Sequence, residues 1–220
     1  EIEKAIDSKT KAIIICSPNN PTGTVLTYDE MSNIVKLALK HNLFVISDEV
    51  YREFSYGIKA TSILDFPELK DKAILVDSIS KRFSACGARI GLIASHNKQL
   101  IDATLRFGQA RLCPPRLEQE GVLAILDNLT QDYFDQLKAE YQHRRDAAIE
   151  ELNQIEGTFL KTPEGAFYLM VKLPVSDTDK FARWLLEDFH RDNETVMVAP
   201  GAGFYATPGL GKDEVRIAYV

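Results

Sequence analysis

The feature that most constrains the fold of this chain is a short, uninterrupted apolar run near its start. Residues Ala12–Cys16 have the sequence Ala-Ile-Ile-Ile-Cys, without the polar–apolar alternation of a half-exposed strand. Such a run is typical of a strand covered on both faces, as in the parallel sheet of an α/β protein. We therefore predict that Ala12–Cys16 is a buried strand of a parallel sheet.

Two further apolar runs, Leu43–Ile46 and Ala73–Val76, have the composition of buried strands. A helix is predicted between the first strand and the second, because Thr27 and Glu30 form a capping box. After this start, apolar residues recur at the spacing of one helical face, at Met31, Ile34, Val35 and Ala38. This succession predicts an α/β fold, with a mostly parallel sheet and flanking helices.

The second half of the chain has a different pattern. Helical periodicity predominates from Lys98 to Gln154, and the helix after Pro115 is expected to turn four residues toward the core, Leu117, Val122, Ile125 and Leu126. After Gly157 the pattern predicts a smaller α+β domain. We place the boundary in the long helix, so that residues 1–140 belong to a large domain and residues 141–220 to a small C-terminal domain. The chain starts in a helical turn and stops in a strand pattern, so we expect both domains to be incomplete.

Composition excludes several classes of function. Lys and Arg number 26 against 32 Asp and Glu, a net charge of −6 with no basic cluster, which argues against a nucleic-acid surface. The three cysteines form no Cys-x-x-Cys pair, and the four histidines are scattered, so no metal site is expected. An odd number of cysteines favours a reducing, cytoplasmic setting. No apolar run approaches the roughly 18 residues of a membrane span.

Polar residues follow each predicted strand directly. Asn20 follows the first strand, Asp48 ends the second, and Ser78 and Lys81 follow the third. In a parallel sheet the carboxyl ends of the strands lie at one edge, which is where open α/β folds bind their ligands. We therefore expect these side chains to converge on one site.

The residue types at this edge suit one kind of cofactor. A partly desolvated lysine is a nucleophile that can form a Schiff base, although the segment around Lys81 taken alone fits a surface loop equally well. Ser78 and Arg89 supply hydroxyl and guanidinium donors for a phosphate, and Asp48 supplies a carboxylate. A Schiff-base lysine, a carboxylate for a protonated ring nitrogen and a phosphate anchor are what pyridoxal phosphate requires.

Four segments resemble a known family in content and in order: Ser17-Pro-Asn-Asn-Pro-Thr-Gly23, Asp48-Glu-Val-Tyr51, Ser78-Ile-Ser-Lys81 and Gly87-Ala-Arg89. Together they resemble the pyridoxal-phosphate-dependent aminotransferases of class I/II, which have fold type I. The resemblance is greatest to aspartate aminotransferases. It continues through Pro200–Phe204 and includes Arg216 close to the end of the chain.

The resemblance implies a role for each residue around the cofactor ring. Lys81 would bind pyridoxal phosphate covalently and, once released by the substrate, move the proton at the substrate Cα. Asp48 would pair with the ring nitrogen and keep it protonated. Asn20 and Tyr51 would hydrogen-bond the phenolic oxygen of the ring.

The resemblance also implies where the two anionic groups bind. Ser78 and Arg89 would hold the cofactor phosphate, and Arg216 would clamp the substrate α-carboxylate bidentately. From the sequence pattern alone, Arg216 fits an exposed strand-edge charge equally well. A glycine-containing phosphate turn and a ring-stacking aromatic residue of the family would precede this chain. Arg111 and Arg116 lie where a second substrate carboxylate could bind, but neither is assigned.

The expected function is amino-group transfer between an amino acid and a 2-oxo acid by a ping-pong mechanism. Aspartate and 2-oxoglutarate are the expected substrates, with aromatic amino acids or alanine as the next choices. Two alternatives keep the same cofactor residues or the same fold: a carbon–sulfur lyase or decarboxylase, and the ligand-sensing domain of a transcription regulator. We expect a homodimer that binds small molecules, without nucleic-acid or membrane partners, and the chain by itself could be inactive.

Overall fold

The computed structural model describes residues 1–220 and contains two four-stranded β-sheets. The first sheet has the order β1-β2-β3-β4, formed by Ala12–Cys16, Phe44–Asp48, Ala73–Ser78 and Gly91–Ala94. Strands β1, β2 and β3 run parallel, and β4 pairs antiparallel with β3. The predicted α/β class with a mostly parallel sheet is therefore confirmed.

Helix α1, Tyr28–Lys40, covers one face of this sheet. Its predicted start is confirmed, since Thr27 and Glu30 form both hydrogen bonds of the capping box. The four apolar residues predicted to share one face are all buried, and they pack with Val45 and Leu75 of the sheet in a single core. For α1, the face predicted from the spacing of apolar residues is the face that packs on the sheet.

The opposite face of the sheet is only partly covered in this chain. Ile14 at the centre of β1 is 75% exposed, and Ile93 in β4, on the same face, is 42% exposed. The prediction that β1 is buried on both faces is therefore wrong for these 220 residues. The physical reason is that an apolar run shows which side chains favour burial. It does not show whether another element packs against them.

Helices α2 (Lys98–Arg111) and α3 (Arg116–Asn128) follow β4 and bury none of their residues. Leu117 is 84% exposed and Leu126 is 60% exposed, so the core-facing assignment of the α3 residues is wrong in this structure. The helical period was correct, because it depends on local sequence. The period shows that α3 has an apolar face, but it does not show which element packs against that face.

The second sheet is antiparallel and has the order β5-β6-β8-β7. Its strands are Phe159–Leu160, Tyr168–Lys172, Ala199–Pro200 and Glu214–Ala218 for β5, β6, β7 and β8. Helix α5, Thr178–Glu187, lies between β6 and β7 in the chain. These elements agree with the predicted α+β character of the segment after Gly157.

The long helix α4, Gln131–Asn153, connects the two sheets along the chain. An aromatic cluster joins them in space, in which Phe54 packs edge-on against Phe167 with ring centroids 5.1 Å apart and against Tyr141 of α4 at 5.0 Å. The cluster includes residues from both sides of the predicted boundary at 140/141, and that boundary stays a prediction. No helix is both long and apolar enough to cross a membrane.

Candidate active site

The carboxyl ends of the three parallel strands meet at one edge of the first sheet. Cys16 lies beside Asp48 in the ladder, and Asp48 lies beside Val76. The backbone continues this alignment beyond the strands, because the Ser17 N–H donates to the Asp48 carbonyl at 3.1 Å and the Glu49 N–H donates to the Val76 carbonyl at 3.0 Å. The segments after all three strands therefore start at the same edge, as strand polarity predicts.

Asp48 and Tyr51 occupy the centre of this edge. The half-buried Asp48 carboxylate accepts the Val50 N–H at 3.1 Å and forms no ion pair. Tyr51 is 4% exposed, and its hydroxyl lies 3.1 Å from that of Tyr168. Burial and, second, this hydrogen bond raise the pKa of Tyr51 well above its usual range, so the phenol keeps its proton and can donate it.

Lys81 follows β3 by three residues and its side chain is half-buried. Its Nζ lies 6.0 Å from the ring centroid of Tyr51 and 6.0 Å from that of Phe167. The amine forms neither a hydrogen bond nor an ion pair. This amine has no hydrogen-bonding partner. In its deprotonated form it can therefore attack a carbonyl group as a nucleophile.

Arg216 and Asn20 are brought together across most of the chain. Arg216 Nη1 donates to Asn20 Oδ1 at 2.9 Å. The guanidinium carbon lies 4.5 Å from the Tyr168 ring centroid and 5.1 Å from that of Phe204. Its Nε is buried and has no hydrogen-bond partner. Arg216 is thus a cation held against two aromatic rings at this edge, and it has donors to spare.

Ser78 ends β3 and Arg89 precedes β4 by two residues, and no hydrogen bond joins their side chains. Ser78 pairs with Gly91, and its hydroxyl accepts the Ser80 N–H at 3.2 Å. Arg89 is exposed, and its guanidinium donates to the Cys86 carbonyl at 3.2 Å. A phosphate site from these two residues stays a prediction.

A family model described as aminotransferase class I and II matches residues 1–219. The chain belongs to this family. Among curated relatives, a putative aminotransferase of Bacillus subtilis is 36% identical over 222 residues. The aspartate aminotransferase of the same organism is 31% identical over 228 residues, and an aromatic-amino-acid aminotransferase of Thermococcus litoralis is 32% identical over 222 residues.

Solved structures show the same likeness. The aspartate aminotransferase of Thermotoga maritima superposes with a TM-score of 0.83 at 32% identity, covering 99% of this chain and 54% of that one. The N-succinyldiaminopimelate aminotransferase of Mycobacterium tuberculosis gives a TM-score of 0.88 at 25% identity, covering 99% and 56%. The three curated relatives are matched over 100% of this chain and 55% of their own length. The chain thus spans about half the length of the curated relatives it matches.

Sequence reasoning missed one residue of this chain, Arg82, which lies next to Lys81. Arg82 forms an ion pair with Asp77 of β3 and a second, at 3.5 Å, with Glu53 in the loop after β2. Its carbonyl accepts the hydroxyl of Tyr133 on α4 at 3.0 Å. The sequence signal for this ion pair was Asp77, an acidic residue inside an apolar strand. Asp77 is only 8% exposed, and a buried carboxylate needs a cation.

Proposed function

We propose that the protein carrying this chain transfers an amino group between an amino acid and a 2-oxo acid, with pyridoxal phosphate as cofactor. The observation that carries the proposal is the unpartnered amine of Lys81, beside Tyr51 at the edge where Asp48 ends β2. Membership in the aminotransferase family supports the same chemistry. The assignment of each residue below is part of this proposal.

The side chains at the edge fit the charges of the cofactor. The carboxylate of Asp48 is half-buried without a cation, which suits a protonated ring nitrogen. Arg216 uses Nη1 for Asn20 and its Nε has no acceptor, so the guanidinium has donors left for a substrate carboxylate. When bound, pyridoxal phosphate supplies an electron sink for the carbanion formed at the substrate Cα.

The residues of the chain then divide the work. Arg216 binds the α-carboxylate of the amino acid and orients it, because a guanidinium can hold a carboxylate through two parallel hydrogen bonds. Lys81 would hold the cofactor covalently, and its Nζ, once released by the substrate, would take the proton from the substrate Cα. Tyr51 and Asn20 would donate to the ring oxygen, and Asp48 would keep the ring nitrogen protonated.

The phosphate and the substrate side chain complete the proposal. Ser78 and Arg89 would bind the phosphate, and the exposed Arg89 guanidinium would exchange its bond to the Cys86 carbonyl for the phosphate. For the substrate, aspartate with 2-oxoglutarate is our first choice, since several relatives are named aspartate aminotransferases. An aromatic amino acid is the second choice, because a relative of similar identity is named for aromatic amino acids.

A homodimer and a cytoplasmic location are also part of the proposal. A homodimer agrees with the large apolar side chains that α2 and α3 expose, such as Phe107 at 77% and Leu117 at 84%. A reducing, cytoplasmic compartment agrees with three free cysteines.

The near-ultraviolet and visible absorption spectrum with added pyridoxal phosphate tests the proposal. It is recorded for the protein in its natural length and for the 220-residue chain, each as wild type, as Lys81→Ala and as the control Lys161→Ala, which changes an exposed lysine. We expect an absorption band of the lysine-bound cofactor that only Lys81→Ala abolishes. Aspartate should bleach the band, and 2-oxoglutarate should restore it.

Other outcomes have distinct meanings. A band that ignores aspartate but responds to an aromatic amino acid selects the second substrate. Repeated turnover of a single amino acid to pyruvate and ammonia, without a 2-oxo acid, contradicts the aminotransferase assignment. A natural-length protein that gives no Lys81-dependent band contradicts the proposed function altogether.

A further inference from the structure

One buried side chain contacts both halves of the proposed site. Tyr168, the first residue of β6, is 6% exposed. Its hydroxyl lies 3.1 Å from the hydroxyl of Tyr51, and its ring lies under the guanidinium of Arg216, 4.5 Å from centroid to Cζ. The two ends of Tyr168 therefore meet a residue proposed to bind the cofactor and a residue proposed to bind the substrate.

The contact with Arg216 is built into the register of the second sheet. Tyr168 pairs with Ala218 and Met170 pairs with Arg216, so Tyr168 and Arg216 are diagonal neighbours on one face. A guanidinium over an aromatic face is attracted by the ring and loses freedom to rotate away. Together with the Asn20 oxygen, the ring fixes the plane in which Arg216 can offer its donors.

The contact with Tyr51 affects the direction in which the Tyr51 hydroxyl donates its hydrogen bond. The Tyr168 hydroxyl is the only hydrogen-bond partner of the Tyr51 hydroxyl in the structure. If the Tyr168 O–H donates to the Tyr51 oxygen, the Tyr51 proton is free to be donated to another acceptor. The raised pKa of Tyr51 agrees with a phenol that stays protonated in this pair.

We propose that Tyr168 is a positioning residue with two separate effects: its ring orients Arg216 for the substrate carboxylate, and its hydroxyl orients Tyr51 as a hydrogen-bond donor to the cofactor. This inference rests on the proposed function. The competing interpretation is a plain core tyrosine, because Tyr168 also packs against Phe167 with centroids 4.8 Å apart. The two effects reside on different atoms, so substitutions can separate them.

The test compares variants of the natural-length protein loaded with pyridoxal phosphate. Tyr168→Phe keeps the ring and removes the hydroxyl, whereas Tyr168→Leu and Tyr168→Met remove both. The matched control is Tyr219→Phe, which changes a tyrosine of the same aromatic cluster, also 6% exposed, whose hydroxyl donates to the Ala166 carbonyl at 3.2 Å. Three quantities are measured: the pH midpoint of the cofactor band, KM and kcat for the amino acid, and the dissociation constant of succinate, an unreactive dicarboxylate.

Each part of Tyr168 predicts its own result. A hydrogen bond to the ring oxygen stabilises its deprotonated form, so weakening the Tyr51 donor should raise the pH midpoint of the band by about 0.5 to 1 unit in all three Tyr168 variants. Only Tyr168→Leu and Tyr168→Met should also raise KM and the succinate dissociation constant, by roughly fivefold to tenfold. Tyr219→Phe should leave all three quantities within about twofold or 0.2 units, because its hydroxyl bond lies outside the site.

Two results would overturn the inference. One is a Tyr168→Phe variant whose band titrates like wild type. The other is a Tyr168→Phe variant that weakens succinate binding as much as Tyr168→Leu and Tyr168→Met do. The first result is read from Tyr168→Phe alone, and the second from its comparison with whichever of Tyr168→Leu and Tyr168→Met folds. If wild type forms no Lys81-dependent band, the proposed function itself fails, and that failure is seen before any Tyr168 variant is examined.

Discussion

Glu49, the residue after Asp48, is a carboxylate that the fold buries almost completely, at 1% exposure. One of its oxygens accepts the Ile63 N–H at 2.9 Å and the Ser62 hydroxyl at 3.1 Å. These bonds attach the turn at residues 62–65 to the end of β2, the strand that ends at Asp48. Burial raises the pKa of Glu49, because the ionised form loses its hydration.

The raised pKa of Glu49 predicts how stability depends on pH. The native carboxyl keeps its proton above the usual value of 4.5, so the native state binds more protons than the unfolded chain in that window. The free energy of unfolding should therefore fall as the pH rises from about 4.5 through the native value. Glu49→Gln, which keeps an acceptor oxygen and carries no charge, should gain stability relative to wild type over the same window.

Urea unfolding at several pH values measures this difference. Glu49→Ala should instead cost about 2 kcal/mol below pH 4.5, because the Ile63 N–H is left buried without an acceptor, and less at higher pH, where the wild type itself loses stability. An exposed glutamate on α4, changed as Glu150→Gln, serves as the control. A Glu49→Gln difference that does not vary with pH would contradict the assignment of a protonated native carboxyl.

Three separate elements are tied together next to Lys81. Arg82 contacts Asp77 of β3, Glu53 of the loop after β2, and Tyr133 of α4. Its side chain is 14% exposed and Asp77 is 8% exposed, so this is a largely desolvated ion pair. Removing one partner of such a pair leaves an uncompensated buried charge.

Arg82→Ala should therefore lower the free energy of unfolding by about 3 kcal/mol. The control is Arg144→Ala, which breaks an exposed pair with Glu140 on α4 and should cost no more than about 0.5 kcal/mol. Chemical denaturation of the two variants measures both values. Equal losses in the two variants would show that the Arg82 pair is solvated, contrary to the structure.

At the scale of the whole molecule, the aromatic cluster makes the two sheets depend on each other. Phe54 is completely buried and packs against Tyr141 of α4 and Phe167 beside β6. Phe54→Ala should cost about 3 to 5 kcal/mol, the usual range for a large aromatic residue removed from a core. Far-ultraviolet circular dichroism, which follows both sheets, should still give one transition that coincides with tyrosine fluorescence.

Phe159→Ala is the matched control, because Phe159 is 70% exposed and should lose no more than about 0.5 kcal/mol. The same experiment bears on the predicted division at residues 140/141. Two separated transitions, of which Phe54→Ala shifts only one, would indicate that residues 1–140 and 141–220 unfold independently.

Local sequence determined the elements and the direction of the strands. The capping box of Thr27 and Glu30 and the 3.6-residue period fixed α1, because both depend on residues within a few positions of each other. The apolar runs fixed β1 to β3, and strand polarity then put Asp48 and the segments leading to Asn20 and Lys81 at one edge. That much of the candidate site follows from chain direction alone.

Tertiary structure alone decided which distant side chains meet and which apolar faces are covered. The 2.9 Å bond from Arg216 to Asn20 and the 3.1 Å contact of Tyr168 with Tyr51 join residues 196 and 117 positions apart. No local period encodes such a pair, because its geometry depends on how two sheets pack. For the same reason the period of α3 identified an apolar face but not the element that would pack against it. In this structure no element does so at Leu117, which is 84% exposed.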